Sequence, residues 1–210
     1  MWIFWSIVCA VVAVQWVLNS TFEGESNNTS FGAVIIFFLV TGMVSLRGSL
    51  NLALGFGATR KEYIKSTILF YLAYSAVNSL IMVIFGIFEV TVLNNAHITL
   101  WFSMMDLATA RPDYVWLIQT IVLFDVVMFF FMLSSLHLRF GIPAYISALV
   151  ILAANVSLPA GRAIWTDMAF SFYEYENLLE LLIGFAAAGI VFSLLTWLLL
   201  SRVSVKTAKV

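Results

Sequence analysis

Charge is scarce in this sequence. Only 10% of its 210 residues are Asp, Glu, Lys or Arg, against about 25% in a typical soluble domain. The ten basic and eleven acidic residues nearly cancel, so no net field steers the chain toward an acidic partner. With 63% hydrophobic residues and a mean hydropathy of +1.04, this composition excludes an ordinary soluble enzyme, a disordered tail and a nucleic-acid-binding protein. Cysteine is represented once, by Cys9 in an apolar run, which excludes an internal disulfide or a cysteine zinc cage and reads as a buried thiol. The two histidines, His97 and His137, are far apart, and no Cys/His/acid cluster has metal-ligand spacing. G-x-x-x-x-G-K-[ST], G-x-S-x-G and H-E-x-x-H are all missing, which argues against P-loop ATP binding and intramembrane hydrolysis by the known routes. A ten-residue alternating pattern is missing too, which argues against a membrane β-barrel.

Long hydrophobic runs are what the sequence has. Six stand out, at about 2–18, 31–46, 67–89, 114–137, 142–158 and 178–200. A bilayer core takes about 20 helical residues, and backbone polar groups in lipid must be satisfied within the segment. The expected fold is therefore an all-α integral membrane domain of six transmembrane helices covering 1–210. The second and fifth runs are short and need flanking residues or local thinning of the bilayer. The first run lacks the basic start of a signal peptide and reads as a retained span. Asn27 and Asn28 lie in N-x-[ST] sequons, which matter only on a eukaryotic secretory route.

The few cations sort to one side. Arg47, Arg60, Lys61 and Lys65 fall between spans two and three, Arg139 between four and five, and Arg202, Lys206 and Lys209 in the tail. Only Arg111 and Arg162 fall on the other side, so the positive-inside rule puts both termini in the cytoplasm. Glu23, Glu25, Asp106, Asp113, Asp167, Glu174 and Glu176 then lie outside, and Trp101, Trp116 and Trp165 lie near the outer interface.

The stretch Arg47–Lys65, RGSLNLALGFGATRKEYIK, reads as a docking element. The chain leaves span two through Leu50, Leu52 and Leu54 and breaks at Gly55-Phe56-Gly57. Thr59 and Glu62 have capping-box spacing, so a helix starts near Arg60 and runs into span three. Arg60 and Lys61 oppose that helix's dipole, a cost of a few tenths to about 1 kcal/mol each. Anionic lipid headgroups can offset it. So can an acidic or apolar cleft on a cytoplasmic protein, with Leu50, Leu54 and Phe56 as anchors and Arg60 and Lys61 as the rim.

The phrase Leu52-Ala53-Leu54-Gly55-Phe56-Gly57-Ala58-Thr59-Arg60-Lys61-Glu62 after span two, with Arg139-Phe140-Gly141 between spans four and five, resembles the membrane subunit of type-2, exporter-class ABC transporters, in particular small six-span bacterial permeases. The resemblance implies a coupling helix between spans two and three, at about residues 48–62, seated on a separate ABC ATPase subunit. Leu50, Leu54, Gly55, Phe56, Gly57, Thr59, Arg60, Lys61 and Glu62 would form that contact. It further implies a second permease subunit, identical or related, in a bacterial plasma membrane. ATP and Mg would be held by the partner, with no cofactor in this chain. The amphipathic helix that often precedes span one in this family has no counterpart here, and residues 160–175 stand either as the family's re-entrant element or as an interfacial loop with aromatic anchors.

Asp125 is the residue most out of place. It lies at the middle of span four, where an Asp costs about 2.5–3.5 kcal/mol on insertion scales, and Asn78 lies at matching depth in span three. Three readings stay open: a protonated acid bonded to Asn78, a wall of a polar export path, or a carrier of a coupling proton. Glu89 and Glu180 read as solvated helix-end carboxylates, or with Glu174 and Glu176 as an acidic vestibule. Gly184 and Ala188 have the small-residue spacing that lets helices approach closely.

The expected function is a permease subunit that exports a hydrophobic or amphipathic substrate (a peptide, drug or lipid-like molecule) with energy from a partner. The alternative is an ion-coupled secondary transporter, or half of one, using Asp125. A scaffold or sensor subunit would be expected to carry a domain outside the membrane.

Overall fold

A computed structural model of the protein describes residues 31–88, 111–143, 146–147, 150 and 178–201. Four long helices make up this part: α1 (Phe31–Gly55), α2 (Arg60–Phe88), α3 (Pro112–Phe140) and α4 (Leu178–Ser201). All four are long and apolar enough to cross a membrane, and there is no strand among the described residues. The span expected at 2–18 lies outside the described residues, as do nearly all of the one at 142–158 and the whole of residues 160–175.

α1 is longer than its hydropathy indicates. The apolar run stops at Leu46, yet the helix continues to Gly55. The helix runs on through Arg47, since a single charged residue does not unwind it. Residues 34, 38, 42, 46 and 50 repeat every fourth position. Val34, Phe38, Leu46 and Leu50 are all buried, so one inward stripe runs through the supposed end of the span. Gly48–Gly55 are thus the last turns of α1. No separate coupling helix stands between α1 and α2, contrary to the expectation.

α3 is the central helix, and buried residues lie on nearly every side of it. Pro112 opens it, where a missing N–H costs nothing. Gly141 closes it at φ +81°, donating its N–H to the carbonyl of His137 at 2.8 Å. Against α1, Gly42 lets backbones touch: a Cβ there would sit 2.6 Å from the Val127 carbonyl oxygen. Ser134 adds a hydrogen bond to the Met43 carbonyl at 3.0 Å. Against α2, Trp116 Nε1 donates to the Ala76 carbonyl at 2.9 Å, Ser79 Oγ donates to the Trp116 carbonyl at 2.8 Å, and Tyr71 meets Phe131 edge-on. α1 and α2 meet through Ser45–Tyr71 and Ser49–Tyr63 hydroxyl pairs and through Phe38 against Tyr74.

These contacts fix direction. From α1 to α2, ascending numbers meet descending ones (Phe38 with Tyr74, Ser45 with Tyr71, Ser49 with Tyr63), so the two run antiparallel. α2 and α3 are antiparallel by the same test, Ser79 meeting Trp116 and Tyr71 meeting Phe131. α3 and α4 run parallel: Asp125 lies against Gly189, Phe129 against Phe192, and Arg139 reaches the Leu198 carbonyl. The outer faces carry Val40, Val44, Phe70, Ile84, Ile190, Leu194 and Leu198, an apolar surface that suits lipid.

Candidate functional site

The turn between α1 and α2 is closed by two interlocking caps. Ala58 N–H bonds to the Ala53 carbonyl at 3.0 Å and Gly57 N–H to the Leu54 carbonyl at 3.1 Å. This is the Schellman pattern, and Gly57 holds the left-handed position it requires, at φ +84°. Thr59 follows at once as N-cap of α2. Its N–H donates to Glu62 Oε2 at 2.9 Å, and Glu62 N–H donates back to Thr59 Oγ1 at 3.3 Å. The Thr59 hydroxyl also donates to Glu62 Oε2, at 2.8 Å. The connection between the helices is therefore only residues 56–59, with its backbone donors satisfied.

That rigid turn presents an apolar side chain outward. Phe56 is 83% exposed and Leu52, one turn earlier on the same helix face, is 64% exposed. Lys61 and Lys65 are exposed in the first two turns of α2, Arg60 is half-buried, and Gly55 has open space around it. Two expected anchors lie elsewhere. Leu50 is buried in the inward stripe of α1, and Leu54 is half-buried against the core. Leu52, not among the expected anchors, is the exposed leucine of this stretch. The four-residue repeat from residue 34 to residue 50 assigns Leu50 inward and leaves Leu52 with Phe56.

A second constellation lies inside the bundle. Asp125 is 7% exposed and neither carboxyl oxygen has a hydrogen-bond partner. It faces α4, pressed on Gly189, where a Cβ would collide with Oδ1 and with the Phe124 ring. Asn78 is fully buried and donates to the carbonyl of Tyr74 in its own helix at 2.7 Å, with Oδ1 unpartnered. No hydrogen bond joins Asp125 and Asn78; equal depth does not give equal direction around the helix. Sequence reasoning missed Gln119, Ser75 and Thr196, each buried and with unpartnered polar atoms. Gln119 interrupts an apolar run just as Asp125 does, which was the available signal. Each such atom costs about 1–3 kcal/mol, so this interior is built at a cost in stability.

The other expectations are placed as follows. Arg139 stacks over Phe140, 5.0 Å from the ring centroid, and Gly141 supplies the positive φ of the Arg-Phe-Gly phrase. Glu180 is exposed in the first turn of α4. Gly184 is exposed with nothing near it; the close approach is made by Gly189. No family model, curated protein or solved structure matches the chain.

Proposed function

We propose that this chain is the membrane-spanning subunit of an ATP-driven exporter of the type-2 ABC class. It pairs with a second permease subunit, docks on separate ATPase subunits through the α1–α2 turn, and moves a hydrophobic or amphipathic substrate (a peptide, drug or lipid-like molecule) across a bacterial plasma membrane. The observation that carries this reading is Phe56. A phenylalanine gains about 1.5–3 kcal/mol when fully buried, and here it stays 83% exposed on a turn fixed by two caps. An apolar tip with the exposed Lys61 at the start of the next helix fits a groove that is apolar at its floor and acidic at its edge.

The helix directions support a fifth span; the sixth, at 2–18, rests on the sequence. α3 and α4 are parallel, so the chain leaves α3 at Phe140 at one end of the bundle and enters α4 at Leu178 at the other. One further crossing in this interval, at 142–158, meets that requirement. Residues 89–111 join antiparallel helices and need none. The cation sorting then places the α1–α2 turn and both termini in the cytoplasm. ATP and Mg belong to the partner. Its closure on ATP would move a turn that is continuous with two spans, so displacement passes to the bundle without a separate lever.

Co-purification tests the reading. The full chain, solubilised from cells expressing its neighbouring genes, is expected to bring down an ATPase, and Lys61→Glu with Phe56→Ser to lose it. Failure of the unmodified chain to bind any ATPase would reject the proposal. Asp125 favours a second reading, an ion-coupled transporter, because a buried carboxyl group with two unpartnered oxygens can exchange a proton. Transport by Asp125→Asn with unchanged pH dependence would reject it.

A further inference from the structure

A cleft of about 400 Å³ lies between α2, α3 and α4. Ile68 and Leu72 form its α2 wall, Ile121 and Phe124 its α3 wall, and α4 closes it from Ala186 to Trp197. Its lining is apolar apart from the Trp197 indole N–H at one end and the Ser193 hydroxyl, which already donates to the Gly189 carbonyl at 2.7 Å. The cleft therefore suits an apolar occupant. Leu72, Ile190 and Leu194 are exposed, so it opens sideways, toward the lipid.

Its length and ends name the occupant. Eleven residue steps separate Ala186 from Trp197, about 16 Å at a rise of 1.5 Å per residue. The hydrocarbon of one leaflet is about 15 Å deep, half of a core of about 30 Å. A helix is too large: 10–12 Å across and 16 Å long, it needs roughly 1,200 Å³. The Ile68–Trp197 end is basic. Lys65 lies three and seven residues before Ile68 and Leu72, on the same face of α2. Arg139 reaches the carbonyl of Leu198, the residue after Trp197, at 3.5 Å. Toward the opposite end, at Ile121 and Ala186, residues 112–121 and 178–186 contain no Lys or Arg.

We propose that this cleft binds one acyl chain of an anionic phospholipid from the basic-side leaflet, with the headgroup held by Lys65 and Arg139. The chain fills a space that close packing would otherwise leave void, and the headgroup neutralises two cations at the membrane surface. The site makes no use of the α1–α2 turn, so it stands or falls apart from ATPase docking.

Native mass spectrometry of the full chain in detergent tests it, with phosphatidylglycerol and phosphatidylcholine of identical acyl chains titrated in turn. One phosphatidylglycerol is expected to be retained with roughly thirty-fold preference over phosphatidylcholine, from two cations. Lys65→Gln combined with Arg139→Gln is expected to bring that preference close to one while phosphatidylcholine still binds. Ala186→Phe, which fills the far end of the cleft, is expected to remove both lipids. If Ala186→Phe fails to fold, Ile190→Trp serves in its place. Phosphatidylglycerol brominated on its acyl chains is expected to quench the unmodified protein more than Trp197→Phe. Equal affinity for the two lipids, retained binding in the filled variant, or equal quenching in Trp197→Phe would each overturn the proposal. So would a lipid-free dimer that the filled variant abolishes.

Discussion

The α1–α2 turn and the α3–α4 seam solve opposite problems. At the turn the polar groups are paired: Gly57 and Ala58 donate to the Leu54 and Ala53 carbonyls, Thr59 and Glu62 satisfy one another, and the exposed group is an apolar ring, Phe56. At the seam the helices meet closely at Gly189 and leave polar groups unpaired: Asp125 presses on Gly189 with both oxygens unpartnered, and Thr196 is buried without a partner. Each region departs from stability in one respect only. The turn exposes what folding would bury, and the seam buries what folding would expose. Such departures concentrate at functional positions, and in the proposed function the exposed one is the partner contact.

Substitutions break this comparison in order of effect. Gly189→Leu at the seam is expected to cost about 3 kcal/mol, because Asp125 and the Phe124 ring occupy the space and overpacking of this kind costs roughly 1–3 kcal/mol, occasionally more. Gly184→Leu, one turn away in open surroundings, is expected to change stability by less than about 0.5 kcal/mol. Thermal unfolding of both variants in one detergent checks the pair, and equal losses would dissolve the seam as a distinct feature. Asp125→Leu is next. It removes a buried unpartnered acid, so the protein is expected to gain about 1–2 kcal/mol while transport falls. A loss of stability instead would mean that Asp125 is held by a group such as a bound cation or water.

Smaller effects sharpen the turn. Thr59→Ala removes the N-cap and is expected to cost about 1 kcal/mol, seen as faster amide exchange through the first turn of α2. Phe56→Ser is expected to leave stability within about 0.5 kcal/mol, since the ring is exposed. Its effect should appear in partner binding alone. A large drop in melting temperature would show that the ring packs inward.

Legibility in the sequence follows the range of the interaction. The turn was readable because caps are made by residues three to five apart: Gly57, Thr59 and Glu62 announce their geometry in order. The spans of α2, α3 and α4 were readable because lipid selects composition over 20 residues and more. The end of α1 was misread because Arg47 reports depth and not helicity. Leu50 was assigned outward until its place in the four-residue stripe from Val34 is counted. A bond between Asp125 and Asn78, one of three open readings, rested on depth, but direction around the helix decides partners, and Asp125 turns to α4 while Asn78 bonds within α2. The small-residue run of α4 offers Gly184 and Gly189 alike; only the packing of α3 selects Gly189.

The central claim is that the α1–α2 turn is a docking surface for a nucleotide-hydrolysing partner. Replacing Phe56 with the photo-reactive analogue benzoyl-phenylalanine and irradiating native membranes tests it most directly, because the adduct is whatever touches that position. A single protein adduct that binds ATP, absent when the analogue replaces the buried Leu50, is the expected result. Adducts with lipid alone, or no adduct at all, would contradict the account.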